Sequence, residues 1–268
     1  MRTNKHLFRL ILSVLLIGPV FAQSDKNAGA EKITAEDVIA KHLASIGTPE
    51  DIAAAKTRVL VGAAAVRGSI SGGGTVFNRD TWNPAQFASD GKKMLLVVVS
   101  DEKLYPGEKA SFAFDGKDQN ISARDKRRFL GEFLNAQPVV MKSGLFSGVL
   151  STAWPPLDQA GTKLKFEYGG IVKRDDRQLY KLKCSGGNGL NISLYFEEGT
   201  FRHVATEYDY IQQAQMGISA VTSSGMKPNR FKLTEEFSDF KIAGKLTLPF
   251  IYKIAVMNQK NAVMVMQA

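Results

Sequence analysis

From Thr162 onward, apolar and polar residues alternate with the period of two that gives a strand one dry face and one wet face. Leu164, Phe166 and Tyr168 share one side; Lys163, Lys165 and Glu167 share the other. The charged turn Arg174-Asp175-Asp176-Arg177 leads into a strand over residues 179–185, in which Leu179 is opposite in phase to Tyr180, Leu182 and Cys184. Gly186-Gly187-Asn188-Gly189 supplies the positive φ of a tight reversal, and a strand over residues 190–196 follows. Glu198-Gly199 turns the chain again, into a long strand over residues 201–210, and residues 231–256 add a last pair. Short turns make neighbours in sequence neighbours in space. The pattern therefore predicts an antiparallel meander forming one side of a strongly curved sheet.

The first half mixes the two periods. Thr34 caps a helix with Asp37 as its capping-box partner, Ile33 packs on Val38, and Ile39, Leu43 and Ile46 fall on one face before Gly47. Thr48 and Pro49 open a second helix. His42 reads as a partly exposed helix residue. Strands are predicted over residues 58–67 and 75–82, flanking Gly72-Gly73-Gly74, then over 94–99 and 110–114, with Asp115-Gly116-Lys117 as a turn. The run from Met94 to Val99 is apolar on both faces, so each face needs cover. A helix over one side and an interior on the other supplies it, and so does plain core packing.

A third helix is predicted over residues 122–136, with Ser122 and Asp125 as caps and Phe129, Leu130, Phe133 and Leu134 as its apolar face. Arg124, Lys126, Arg127 and Arg128 crowd its first turns, where positive charge opposes the helix dipole. They form either a solvated face or a docking patch for an acidic partner or a lipid head group. Leu145-Phe146-Ser147-Gly148-Val149-Leu150 and Trp154-Pro155-Pro156 then suit a lid over a cavity, or a buried connection.

Residues 1–22 have the anatomy of a cleavable signal peptide: Arg2, Lys5 and Arg9, an apolar core over residues 10–17, and Val20-Phe21-Ala22 before the cut. The apolar core falls short of the ~20 residues needed to span a bilayer. The expected organisation is a signal peptide at 1–22, a flexible leader at 23–32 and a single domain at 33–268, exported to the periplasm. Export disfavours nucleic acid as a partner. The formal net charge of +9 drops to +6 once the three basic residues of the signal peptide are gone, which suits an anionic surface or acidic partner. Cys184 is the one cysteine, so no internal disulfide forms and the domain rests on core burial.

Candidate chemistry is sparse. After His6 in the signal peptide, His42 and His203 stand alone without metal-ligand spacing, so neither a metal nor a cofactor is expected. Gly68-Ser69-Ile70-Ser71-Gly72 puts its serines at the wrong positions for a nucleophile elbow. Glu197-Glu198 and Glu235-Glu236 read as solvated strand ends. Two distant carboxylates meeting in a cleft would make a hydrolase, the weakest of three readings.

A resemblance adds to this. Leu233-Thr234-Glu235-Glu236-Phe237-Ser238-Asp239-Phe240, a glycine turn at Gly244, and Leu246-Thr247-Leu248-Pro249 resemble the C-terminal hairpin of the bacterial periplasmic lipoprotein-carrier superfamily, which includes the outer-membrane lipoprotein-sorting proteins. Phe112-Ala113-Phe114-Asp115-Gly116-Lys117 is similar to its aromatic strand ending in Asp-Gly-Lys. The resemblance implies an α+β fold, a half-open antiparallel β-barrel whose concave face is covered by helices and takes up acyl chains of a lipoprotein or other lipid, with no bond made or broken. Met94, Leu96, Phe112, Phe114, Phe129, Phe133, Phe146 and Trp154 are the candidate lining and lid residues. Well-known carriers hold their lid with an arginine just before a proline, where this chain has Trp82-Asn83-Pro84. The alternative is a cell-envelope interaction or sensor domain of the same fold, with a filled core and a protein partner. A monomer is expected in either case.

Overall fold

A single antiparallel sheet dominates the computed structural model, which describes residues 33–70, 77–78, 82–99, 109–122, 126, 129–187, 189–212, 229–257 and 260–268. The signal peptide, the leader, the Gly72–Gly74 reversal, Arg124, Arg127 and Arg128 lie outside the described residues, as does the side chain of Phe129.

The spine is β1 (Thr57–Ile70), which carries the short β2 (Phe77–Asn78) beside its far end. From β1 the chain steps outward through β3 (Asn83–Asp90), β4 (Lys93–Val99), β5 (Lys109–Phe114) and β6 (Gln119–Ile121) to one edge. The opposite edge is β7 (Glu167–Arg174). From there β8 (Arg177–Gly187), β9 (Leu190–Glu197), β10 (His203–Gln212), β11 (Asn229–Ala243), β12 (Leu246–Met257) and β13 (Lys260–Gln267) step back until β13 pairs with β1. The order β6-β5-β4-β3-β1-β13-β12-β11-β10-β9-β8-β7 is an open path, a half-closed barrel rather than a ring.

The expected meander is present with its expected turns. Arg174 pairs with Arg177, and Asp175 and Asp176 both take positive φ, the geometry of the two-residue turn whose twist matches a hairpin. Gly187 and Gly189 take positive φ in the next reversal, and Gly199 and Phe201 in the one after it. Residues 163–166 keep the alternation of exposure, but the ladder begins only at Glu167. Three strands were not expected: β3, β6 and β13. In β3 the sequence Asn-Pro-Ala-Gln-Phe-Ala-Ser-Asp offers one large apolar side chain, Phe87, and carries a proline, so its strand state comes from pairing on both sides with β1 and β4.

Among the described residues there are four α-helices: α1 (Ala35–Ile46), α2 (Pro49–Ala54), α3 (Phe129–Ala136) and α4 (Val139–Lys142). In α1 the Thr34 hydroxyl accepts from the Asp37 N–H and the Asp37 carboxylate accepts from the Thr34 N–H, the reciprocal capping box that the sequence signals. Of the third helix expected over residues 122–136, α3 is described from Phe129 and Lys126 stands in a 3₁₀ turn; residues 123–125 and 127–128 lie outside the described residues. Residues 129–157, with 3₁₀ turns at Gly148–Leu150 and Pro155–Leu157, form the connection from the β6 edge to the β7 edge. They pack into the main core with α1 and the inward side chains of both halves of the sheet. A second, smaller cluster of Leu179, Tyr195, Val204 and Ala205 lies apart from it, which explains why Leu179 is buried although opposite in phase to Leu182 and Cys184.

Candidate functional site

The concave face of the sheet is built by strand periodicity. Met94, Leu96 and Val98 of β4 and Phe112 and Phe114 of β5 alternate inward and are buried, while Leu95, Val97 and Val99 face outward half-buried. Phe133, Phe146 and Trp154 reach the same core from the connecting segment, and all three are fully buried. Seven of the eight candidate lining residues thus meet in one cluster, with Phe129 outside the described side chains. Lys126, the described member of the basic group, is exposed.

Residues 145–151 are buried throughout, so this segment is a plug inside the concavity rather than a surface flap. A buried irregular segment must place its backbone polar groups, and here side chains of the sheet help to do so at three points, while α1 holds the segment through a side-chain contact. Arg58 of β1, 6% exposed, donates from Nη1 to the carbonyl of Val149 and, at 3.3 Å, to that of Ser151. Glu235 of β11, wholly buried, accepts the Ser147 N–H at 2.7 Å. Ser89 of β3 accepts the Thr152 N–H at 2.9 Å and meets the Thr152 hydroxyl at 2.8 Å. Trp154 Nε1–H donates to His42 Nε2 at 3.3 Å, which puts the proton of His42 on Nδ1, where it donates to the carbonyl of Phe201 at 3.0 Å.

Glu235 is the centre of this arrangement. Tyr252 and Tyr208 donate their hydroxyls to its two oxygens, the latter at 2.7 Å, and the Ser147 N–H shares the oxygen taken by Tyr252. Burial raises its carboxyl to about 7, against the pull of those three donors. Burial likewise lowers His42 to about 4 and His203 well below the ordinary imidazole value. It also lowers the Arg58 guanidinium to about 10. His203 stacks between Trp154 and Phe237, with ring centroids 4.7 and 4.8 Å away, and donates to or accepts from the Thr206 hydroxyl at 2.9 Å. Among the described residues no group of three or more His, Cys, Asp or Glu side chains is arranged to hold a metal ion.

Two expectations are corrected here. His42 is 1% exposed, not a partly solvated helix residue, because it falls on the same face as Val38, Ile39 and Ile46. Glu235 lies in the middle of β11, not at a solvated strand end. The signal for Glu235 was in the alternation: Phe231, Leu233, Glu235 and Phe237 share one phase, and three of the four are large and apolar. Arg58 is legible in the same way, in phase with Leu60 and Ala64. It stands on the first long strand, whereas Trp82 is 49% exposed.

Gly148 shows how closely the plug is fitted. Its φ is +49°, and an added Cβ would lie 2.7 Å from both His203 Cε1 and Phe237 Cζ. A Gly148→Ala variant combines backbone strain with overpacking and is expected to lose about 2–4 kcal/mol. Urea denaturation measures this, and wild-type stability would show that the plug shifts freely over His203.

These features define a half-open antiparallel barrel, the architecture that the sequence resemblance implied, with its apolar concavity filled by a hydrogen-bonded plug. Solved structures similar to this chain include a LolA superfamily protein from Nitrosomonas europaea, at 12% identity over 88% of this chain and 92% of that one, with a TM-score of 0.44. A putative outer membrane lipoprotein-sorting protein domain from Vibrio parahaemolyticus is similar at 10% identity over 87% and 90%, with a TM-score of 0.45. The Pseudomonas aeruginosa MucA/MucB complex also aligns, at 10% identity over 86% and 92% and a TM-score of 0.21. No family model and no curated protein matches the chain.

Proposed function

We propose that this protein is a periplasmic carrier or binding protein that takes an acyl chain of a lipoprotein or other lipid into its concavity when the plug at residues 145–157 withdraws. The observation that carries this reading is how the plug is held. Buried polar and ionisable groups are a poor way to stabilise a fixed core, since packed apolar residues of similar volume commonly do as well or better. They suit a segment with two positions, because the hydrogen bonds of Arg58, Glu235, Ser89 and His42 can be exchanged for others. Behind the plug lie Met94, Leu96, Phe112, Phe114 and Phe133, an apolar wall against which each buried methylene contributes roughly 0.8 kcal/mol. The signal peptide at residues 1–22 supplies the export and the basic cluster at residues 124–128 a contact with lipid head groups. Binding and release require no chemistry.

A second reading has its own observation. Phe87, Phe133, Phe146 and Trp154 are wholly buried in one core cluster, which is what a permanently filled interaction or sensor domain would show.

The contact between Ser89 and Thr152 separates the two. Their oxygens are 2.8 Å apart, so a Ser89→Cys, Thr152→Cys variant should close a disulfide between sheet and plug. Cys184 is buried, with its thiol pushed up to about 12, and stays out of the exchange. Reduced protein is expected to take up a fluorescent palmitate analogue, and oxidised protein to exclude it until dithiothreitol is added. Uptake in neither state favours the interaction domain. Equal uptake in both places the acyl chain outside the concavity and removes the carrier reading.

A further inference from the structure

The sheet makes two opposite demands on the plug. Where Ser147 and Gly148 sit, it offers acceptors. Glu235 takes the Ser147 N–H at 2.7 Å. His203, wholly buried, lies so close to Gly148 that an added Cβ would stand 2.9 Å from its Nδ1, and that nitrogen has no hydrogen-bond partner among the described residues. The tautomer that donates from Nε2 to the Thr206 hydroxyl leaves this Nδ1 a lone pair. Where Val149 and Ser151 sit, the sheet offers a donor instead, because Arg58 Nη1 serves both carbonyls. An anionic acceptor and a cationic donor therefore stand beside one 3₁₀ turn, Gly148–Leu150, on plug partners two residues apart.

Withdrawal of the plug, the carrier reading on which this inference rests, takes these partners from Glu235 and Arg58 together. A stranded buried charge costs more than a stranded neutral group, so an incoming ligand is selected by what it returns to the two. A bare acyl chain returns nothing. A fatty-acid carboxylate suits Arg58 but repels Glu235. A secondary amide has one N–H, enough for Glu235 or for His203 but not for both. A primary ammonium has three N–H groups for these two acceptors, and its charge favours the ionised form of Glu235. A phosphate monoanion gives Arg58 the acceptor oxygens its planar fork is shaped for.

We propose that the cargo is a zwitterionic phospholipid with a primary ammonium, of the phosphatidylethanolamine class. Its ammonium replaces the Ser147 N–H on Glu235 and adds a bond to His203 Nδ1, while its phosphate replaces the carbonyls of Val149 and Ser151 on Arg58. The short link between phosphate and ammonium suits anchors whose plug partners lie within one tight turn. Site and head group each carry one positive and one negative charge, so the complex buries no net charge. The acyl chains then follow the apolar wall of Met94, Leu96 and Phe112.

The test uses protein purified after export, loaded with the fluorescent palmitate analogue and challenged with dihexanoyl phospholipids below their micelle concentration. The acyl chains are then constant and only the head group varies. The ethanolamine lipid is expected to displace the analogue at about tenfold lower concentration than the choline lipid, which has no N–H, or the glycerol lipid, which has no cation. N-acetylation of the ethanolamine should cost about the same factor. In Glu235→Gln the gap between ethanolamine and choline lipids should shrink to about twofold. The lipid series is read on wild-type protein, so it decides the matter even if that variant does not fold. Uptake of the analogue with the phospholipids equally effective or equally inert overturns the head-group assignment and leaves the carrier reading standing. So does a glycerol or N-acetyl lipid that binds as well as the ethanolamine lipid, or a gap unchanged in folded Glu235→Gln. Wild-type protein that takes up neither the analogue nor any phospholipid removes the carrier reading, and this inference with it.

Discussion

Replacing Trp154 by alanine is expected to lower stability by about 3–5 kcal/mol, the range for emptying a large aromatic site that cannot collapse. The residue is wholly buried in the main core. Its indole packs over His203, with centroids 4.7 Å apart, and its Nε1–H fills the acceptor position of His42. Truncation therefore removes packing and a buried hydrogen bond together. For a domain of this size the loss corresponds to a fall of ~10 °C in melting temperature. Trp82 is half exposed, so a Trp82→Phe background leaves Trp154 as the emission signal of the plug, blue-shifted while the plug is seated. If Trp154→Ala costs under about 1 kcal/mol, the plug contributes little to the fold. Red-shifted Trp154 emission in the resting protein would mean that the open position is the ground state.

The parts of this fold that were legible in the sequence are those decided locally. The hairpins from β7 to β10 follow from alternation plus turn residues, and Arg174 to Arg177 form the turn that their spacing requires. The capping box at Thr34 and Asp37 is a contact within one helical turn. What was not legible depends on partners far along the chain. β3 is a strand because β1 and β4 flank it, although its own residues are mostly small or polar. β13 closes onto β1 across almost the whole chain, which no local pattern announces. The candidate site divides the same way. Phase alone brought Met94, Leu96, Phe112 and Phe114 to one wall. The anchors of the plug were missed because Arg58, His42 and Glu235 are residue types that are mostly exposed or only intermediate in burial, and only tertiary partners make their burial tolerable.

Glu235 carries the sharpest of these consequences. Glu235→Ala leaves the Ser147 N–H and the hydroxyls of Tyr208 and Tyr252 without their acceptor in a dry interior. A loss of several kcal/mol is expected, at about 1–3 kcal/mol for each stranded donor that finds no substitute. Glu235→Gln keeps one acceptor oxygen and the volume, turns the other oxygen into an NH2 donor that a tyrosine hydroxyl can accept, and cannot ionise, so it isolates the pH dependence. The Glu235 carboxyl sits at about 7 in the folded protein against 4.5 ordinarily, because burial penalises its ionised form. The folded state therefore holds a proton that the unfolded chain has released. The stability this group contributes is complete below about 4.5 and is lost as pH rises through 7, a change on the order of 3 kcal/mol. His42 and His203 act in the opposite sense. Their folded values are depressed by burial, so they favour the fold above 6.5 and withdraw that support as pH falls. Wild-type stability is expected to peak near neutrality, where the two trends cross. In Glu235→Gln only the histidine trend remains, so stability should level off above 6.5, and the variant should gain on wild type by ~3 kcal/mol between pH 4.5 and 8. Urea titrations of both proteins across that range decide the matter. Parallel profiles would show that Glu235 stays ionised in the fold, in which case Tyr208, Tyr252 and Ser147 already hold its charge in full and protonation is no route to freeing the plug.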